Sequence, residues 1–414
     1  MLNVAIIGAG AAGCFCAVNL KRMLGNNCSI DVFEAGRKPL AKVAITGGGR
    51  CNLTNSFQQV SSLALAYPRG ERLMKRLFFS FSNDDAMRWW QNNGVELVVQ
   101  NDCCVFPRSQ DAMQIVSTLT SAMTQSGVRT HLQHRVSSLQ RLIDGKYRLS
   151  FSNDANSAVA DVVLVAVGGC PSANMLSFLE PLALNIKPVV PSLFTFNIKD
   201  SALTQLMGVV VKDACVSIPS TKFKADGPLL VTHWGLSGPA ILKLSSYSAV
   251  FLAEKDYKAP LLVSWLGRKT QPEVEALLSD FVNDSANKMV QNEYPQQLTQ
   301  RLWSYLLSRA GVPAELRWRD VGRKLLNKLC SVLICDEYRI DGRGQYKEEF
   351  VTCGGVALDN LDQNSLQCKS HPGLYFAGEV TDVDAITGGF NLQAAWTMGY
   401  VVAKSIAQNF NKQV

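Results

Sequence analysis

Gly8-Ala9-Gly10-Ala11-Ala12-Gly13 decides the fold. It follows Leu2 to Ile7, a short apolar and β-branched run that predicts a strand, and it opens Ala11 to Leu24, which is helical in composition. In a G-x-G-x-x-G so placed, the first glycine permits a tight turn and the second lets the backbone approach a pyrophosphate. The third allows helix and strand to pack closely. The free N–H groups and the positive dipole end of the helix then receive phosphate charge. Ser29 to Phe33 reads as the next strand, and Glu34 ends it where a carboxylate accepts hydrogen bonds from ribose hydroxyls. Strand, glycine turn, helix and carboxylate together predict a dinucleotide-binding α/β fold. This much fits NAD or FAD equally.

Two further segments favour FAD. Thr46-Gly47-Gly48-Gly49-Arg50-Cys51-Asn52 lies within a glycine- and lysine-rich loop expected from Gly36 to Asn55. It holds too much glycine for an ordinary helix. Consecutive glycines let backbone lie against a flat ring, and Arg50 is placed to pair with a phosphate or a substrate anion. Near the C-terminus, Leu374-Tyr375-Phe376-Ala377-Gly378-Glu379-Val380 and Thr387-Gly388-Gly389-Phe390-Asn391-Leu392 repeat the order strand, turn, glycine pair, helix. A helix beginning near Asn391 would aim its N–H groups at the N1–C2=O edge of a flavin, which gains negative charge on reduction. Taken alone, this second segment is better read as the closing strand and helix of any α/β sheet.

Between these ends the pattern changes twice. Helices are expected at Glu71–Phe79, Asp84–Asn93 and Ala112–Ser126, and strands at Val95–Val99, Gly127–Leu132 and Asp161–Val167. Gln133–Leu142 and Lys146–Ser152 form a hairpin pattern around Asp144-Gly145. After Pro188, short strand-like runs continue to about Ser264. Gln271 to Leu333 is helical, with Leu298, Leu302, Tyr305 and Leu306 at three- and four-residue spacing. Strand signals return at Phe350–Val356, and a helix from Asn391 to Phe410 closes the chain. The expected domains are a discontinuous Rossmann-like FAD-binding domain (1–188 and 335–414), an inserted β-rich domain (189–265) and an inserted helical domain (266–334).

Composition bounds the rest. At about 150 residues per domain, 414 residues suit two or three domains. With 47% hydrophobic and 18% charged residues, the chain can bury a large core. A net charge of +7 suits anionic ligands such as phosphates or RNA, although an ordinary, slightly basic surface also explains it. The 12 cysteines include no Cys-x-x-Cys, which points to reduced thiols, a cytoplasmic protein and no disulfide reductase. Four histidines without zinc spacing to cysteine argue against a metal. The apolar start, Met1 to Leu20, lacks a charged leader and is broken by three glycines, so neither a signal peptide nor a membrane span is expected.

The chain resembles the BaiN/YhiN-like family of bacterial FAD-dependent oxidoreductases, also called aminoacetone oxidase-like. The resemblance rests on Gly47-Gly48-Gly49-Arg50-Cys51-Asn52-Leu53-Thr54-Asn55, Val231-Thr232-His233-Trp234-Gly235-Leu236-Ser237-Gly238-Pro239-Ala240, Val351-Thr352-Cys353-Gly354-Gly355-Val356 and the segment from Gly378 to Asn391. It implies FAD contacts at Gly8, Gly10, Ala12, Gly13, Glu34, Lys42, Gly49, Arg50, Cys51, Asn52, Gly378, Asp382, Gly389, Phe390 and Asn391. Ala11, Ala35, Gly48, Val136, Val167, Gly168, Glu379, Gly388 and Leu392 complete the expected cofactor set. The chain departs from the family at Cys170-Pro171-Ser172-Ala173-Asn174, where members carry a Ser-Tyr/Met-Pro and glycine-rich stretch.

The expected chemistry is exchange of a hydride between flavin N5 and a small-molecule substrate. No second G-x-G-x-x-G follows a strand, so a nicotinamide donor, NAD(P)H, would bind only transiently at the flavin. Reduction of uridine to dihydrouridine in ribosomal RNA is the alternative, and a non-catalytic flavin scaffold or redox sensor is a third. The catalytic candidates are His233 and Arg50. For His233, the plainer reading is a polar residue shaping the turn before Gly235. Cys51 and Cys353 read as buried small hydrophobes, and Trp89-Trp90 and Trp303/Trp318 as core residues.

Overall fold

In the computed structural model the described residues are 1–152, 156–169, 173–344 and 351–413. They divide into two compact units, Met1–Pro191 with Lys347–Val414, and Ser192–Tyr346.

The first unit is built on a five-stranded parallel sheet. Its strands are β1 (Leu2–Ile7), β2 (Cys28–Glu34), β3 (Arg129–Leu132), β4 (Val162–Val165) and β5 (Leu374–Phe376). Their order across the sheet is β5-β4-β1-β2-β3, and every neighbouring pair is parallel. The chain leaves β1 toward β2 and β3 on one side, while β4 and β5 fill the other. The order therefore reverses beside β1, and ligands of open α/β sheets bind outside the carboxyl ends of the strands at such a point. The central strands β1 and β4 are apolar on both faces, since the successive residues Val4, Ala5, Ile6 and Ile7, and Val163, Leu164 and Val165, are all buried. That is how a parallel sheet covered by helices reads.

Two helices matter most here, α1 (Ala11–Leu24) and α2 (Phe390–Gln413). They pack so closely that a Cβ on Gly399 would stand 2.6 Å from Ala12 O. Trp89, Trp90 and Trp396 are buried with Phe15 of α1 in one aromatic cluster, as core residues. The hairpin around Asp144-Gly145 forms, with Val136–Arg141 antiparallel to Tyr147–Phe151.

The second unit carries a six-stranded antiparallel sheet and the helices Gln271–Asp284, Gln300–Ala310 and Arg323–Ile334. Trp303 and Trp318 are fully buried there. Asp336–Asp341, which the sequence reading put with residues 335–414, pairs along Lys258–Ser264. Within the stretch read as strand-like runs, Pro239–Tyr247 and Ala249–Glu254 are helices. Pro239 at the first helical position is the signal for the former, because its missing N–H costs nothing there. Among the described residues no helix is long and apolar enough to cross a membrane.

Candidate functional site

β1 ends at Gly8, where φ is 106° and a Cβ would stand 2.4 Å from Ala166 O at the end of β4. Only glycine fits there. A Cβ on Gly13 would lie 2.1 Å from Gly8 O, so the third glycine of the turn sets how closely α1 approaches the strand. Gly10 caps α1 without a side-chain hydrogen bond, and no acidic residue occupies the helix's first turn. Its first N–H groups and dipole thus have no acidic residue of the helix itself to neutralise them, which suits a pyrophosphate.

Glu34 closes this turn. Its Oε2 accepts from Ala9 N at 2.8 Å and its Oε1 from Gly36 N at 2.7 Å. Each oxygen keeps a further lone pair for a ribose hydroxyl. His134 N donates to Glu34 O, which brings the segment leading to Val136 beside the end of β2. Ala35 is exposed and Val136 is buried.

The stretch expected as a loop from Gly36 to Asn55 holds a short helix, Ala41–Gly49. It starts because Leu40 adopts φ 55° and donates its N–H to Ala9 O, docking the helix on the phosphate turn. The helical geometry fails at Thr46, Gly47 and Gly48, where glycine was expected to break it. Cβ atoms on Gly48 or Gly49 would meet nothing within 4 Å, so this backbone is open to a flat ring. Arg50 is exposed, stacks over Phe106 at 4.6 Å and donates to Gly47 O at 3.2 Å. Cys51 is fully buried, and burial pushes its thiol up to about 12, so it is a neutral packing group.

The second glycine turn is tied to this region from the far end of the chain. With its amide oriented so that both ends are satisfied, Asn52 donates to Thr54 O at 3.0 Å and accepts from Gly389 N at 3.2 Å. Asn55 Nδ2 donates to Gly388 O at 3.1 Å, Thr54 Oγ1 to Gln393 Oε1 at 2.6 Å, and Trp396 Nε1 to Leu53 O at 3.0 Å. Tyr67 OH donates to Phe390 O at 2.9 Å. These bonds hold the N-terminus of α2, whose first turn also lacks an acidic residue, against the Gly47–Asn55 stretch. Gly378 sits beside the first turn, its Cβ position 3.1 Å from the Cβ of Ala12.

The remaining expected residues take definite places. Asn391 is engaged with backbone, accepting from Ala385 N and donating to Ala385 O, each at 2.9 Å. It braces the loop before α2, while Leu392 is half-buried in the helix's first turn. Asp382 pairs with Lys187 at 2.5 Å. Glu379 accepts from Thr352 N at 2.8 Å and lies 3.5 Å from Lys42 Nζ. Val167 and Gly168 follow the end of β4 and are half-buried. Cys170, Pro171 and Ser172 of the family departure lie outside the described residues. His233 belongs to the second unit. It is exposed on the turn between Lys224–Thr232 and Gly235–Ser237, its ring 4.4 Å from that of Trp234.

Sequence reasoning missed Arg69 and Asp384, which pair through Arg69 Nη2 and Asp384 Oδ2 at 2.6 Å. Asp384 is buried, and the ion pair fixes the loop that leads to Gly388. Cys353 lies near both groups; burial raises its thiol to about 12, against the pull of Arg69. The Pro68-Arg69-Gly70 stretch carries no motif, so no local signal marked the pair.

A single phosphate turn serves NAD or FAD alike. Here the last strand and helix return to it with a second glycine turn and a second acid-free helix N-terminus, and the residues present fit a flavin dinucleotide. This is the arrangement of the FAD-dependent oxidoreductases. Within that class, the chain belongs to the family of HI0933-like Rossmann-domain proteins, whose profile matches residues 2–405. It is 28% identical to a ribosomal RNA dihydrouridine synthase of Escherichia coli K12, over 97% of each chain. It is 25% identical to a 3-dehydro-bile acid delta(4,6)-reductase of Clostridium scindens, over 99% of this chain and 100% of the relative. In fold it is similar to 3-ketosteroid delta1-dehydrogenase of Sterolibacterium denitrificans, with a TM-score of 0.52, 12% identity, and 99% and 100% of the two chains covered.

Proposed function

We propose that the protein reduces a carbon–carbon double bond conjugated to a carbonyl, and that its substrate is uridine in ribosomal RNA, converted to dihydrouridine in the cytoplasm. The activities for which the relatives are named share this chemistry. Uracil C5=C6 is conjugated to the C4 carbonyl, and a 3-oxo steroid with a Δ4 bond presents the same unit. Reduction places a hydride on the β carbon and a proton on the α carbon. When bound, FAD supplies the hydride from N5 of its reduced form, and NAD(P)H binding transiently restores it.

The substrate part of the reading is supported by the similarity to the ribosomal RNA dihydrouridine synthase over 97% of both chains, and the flavin part is carried by the junction of Asn52, Thr54 and Asn55 with Gly388, Gly389 and Gln393. It fixes the N-terminus of α2 beside the open backbone of Gly48 and Gly49. The dipole there stabilises negative charge on a flat, electron-accepting ring. The first N–H groups of α1 receive the pyrophosphate and Glu34 orients the adjacent ribose. Lys42, Arg50 and the backbone from Gly48 to Asn52 line the flavin end, with Gly378 beside α1. Base reduction requires an unstacked or flipped nucleotide, because the hydride must reach the ring face, which stacked neighbours otherwise cover.

The test compares dihydrouridine in ribosomal RNA from strains with and without the gene, together with the absorbance spectrum of the purified protein. A yellow protein and a dihydrouridine lost with the gene are expected. An unchanged dihydrouridine content beside a yellow protein sinks the substrate assignment and leaves the flavoenzyme.

A further inference from the structure

The second unit carries a concentration of positive charge that nothing in the flavin site uses. From Arg317 to Lys328 the chain holds five cations, Arg317, Arg319, Arg323, Lys324 and Lys328, against one carboxylate, Asp320. All five are exposed. Arg319 has local partners, Asp320 at 3.8 Å and Asn287 Oδ1 at 2.7 Å. For Arg317, Arg323, Lys324 and Lys328 there is no ion pair among the described residues. The neighbouring helix Gln271–Asp284 does not supply one: Glu273 caps its own helix at Thr270, and Glu275 accepts from Gln271 at 2.7 Å.

The helix Arg323–Ile334 shows why three of these charges, Arg323, Lys324 and Lys328, share a side, with Arg317 a few residues before the helix. Leu329, Cys330 and Leu333 are buried, so the opposite face, with Arg323, Lys324, Asn327 and Lys328, is the solvent face. Lys324 and Lys328 stand one turn apart, about 6 Å between Cβ atoms. Their position runs against local stability. Arg323 and Lys324 occupy the first turn, where the helix dipole repels cations, and the N-cap is Gly322 with no side-chain bond. Four unpaired cations, two of them where the helix itself disfavours them, fit a polyanion with closely spaced charges.

We propose that this face is where the protein docks the phosphate backbone of its ribosomal RNA substrate. The proposal rests on the RNA reading above and assigns it a surface. Cations facing phosphates release condensed counterions, so affinity falls with salt in proportion to the contacts made. Base choice is not expected from this face, since phosphate contacts position a nucleic acid without reading it.

The experiment uses FAD-loaded protein, protein-free ribosomal RNA from the strain lacking the gene, and vesicles of phosphatidylglycerol as a second polyanion. The variant combines Arg317→Gln, Arg323→Gln, Lys324→Gln and Lys328→Gln. All four side chains are exposed, and flavin content and melting temperature check that the variant folds. Affinity is measured between 50 and 200 mM salt. The plot of log affinity against log salt should lose about 3 from its slope, at about 0.7 per single-strand phosphate contact. Affinity at the lowest salt should fall at least about tenfold, while turnover of a small electron acceptor stays as in the parent. If the parent binds RNA and the variant keeps its slope, the surface assignment is wrong although the RNA reading stands. If the parent binds no RNA, both fail together. Binding of vesicles but not RNA, lost in the variant, overturns the assignment in favour of a membrane surface.

Discussion

At the first glycine turn, a Cβ on Gly13 would strike Gly8 O at 2.1 Å, within the same six residues. At the second, a Cβ on Gly389 would strike Thr54 O at 2.3 Å, at the other end of the chain. The first turn is a local device: its strand, glycines and helix are contiguous, and Glu34 needs only the backbone N–H groups of Ala9 and Gly36. The second is assembled by tertiary contacts, through Asn52, Thr54, Asn55, Tyr67 and the Arg69–Asp384 pair. The nucleotide loop thus takes most of its shape from neighbouring residues, with Gly8 set against Ala166 as its distant contact, whereas the flavin end exists only once the chain has folded.

The sharpest way to break this comparison is to fill each turn in turn. Gly13→Val forces backbone apart between α1 and β1 and should cost about 3 kcal/mol or more, leaving a colourless protein. Gly389→Val, at φ 88°, should also lose flavin but spare the first turn. Adding ADP should then raise the melting temperature of Gly389→Val and leave that of Gly13→Val unchanged. Equal behaviour of the two variants toward ADP would mean that the turns are one unit.

A second test acts on the tertiary anchor. Arg69→Met leaves the Asp384 carboxylate buried without its cation, and breaking such a pair costs about 3–5 kcal/mol. Urea unfolding should move by that amount, and flavin affinity should fall with it, because the loop into Gly388 loses its brace. Stability that falls while FAD affinity stays at the parent value would detach this ion pair from the flavin end.

The same contrast explains what the sequence disclosed. The limits of β1 and α1 follow from adjacent residues, and Leu2–Ile7 and Ala11–Leu24 appear as expected. The helix Ala41–Gly49 was hidden, since its start depends on Leu40 bonding to Ala9 O, a contact between separate loops. Asn391 was expected at the cofactor through the family resemblance, with the closing helix beginning near it. The helix starts one residue earlier, at Phe390, and what the sequence did not show is that the side-chain amide of Asn391 bonds Ala385. Arg69, Asp384 and Gln393 are ordinary letters in sequence and acquire their roles only through partners far along the chain. The two helices after Gly238 were obscured by the glycine- and proline-rich strands around them, although Pro239 marked the first.

The smallest expected effect lies at the edge of the local region, where Asp31 of β2 faces Arg129 of β3 in register. Arg129 Nε donates to Asp31 Oδ1 at 2.8 Å, and the His131 ring lies 2.7 Å from the same oxygen. Partial burial pushes the Asp31 carboxyl up, but hydrogen bonds and charge from Arg129 and His131 more than offset this and hold it below its usual value. A carboxylate depressed in the folded state contributes stability that is complete above its unfolded value, about 3.9. That contribution fades as pH falls through the lower folded value. Because the Asp31 side chain is a quarter exposed and that of Arg129 more than half, screening limits it to about 0.5 kcal/mol. Asp31→Asn should therefore lower stability slightly at pH 7, and the difference from the parent should shrink as pH drops below about 4. FAD content should not change, since neither glycine turn leans on this pair. A gap that persisted at pH 2 would show that Asp31 acts through packing rather than charge.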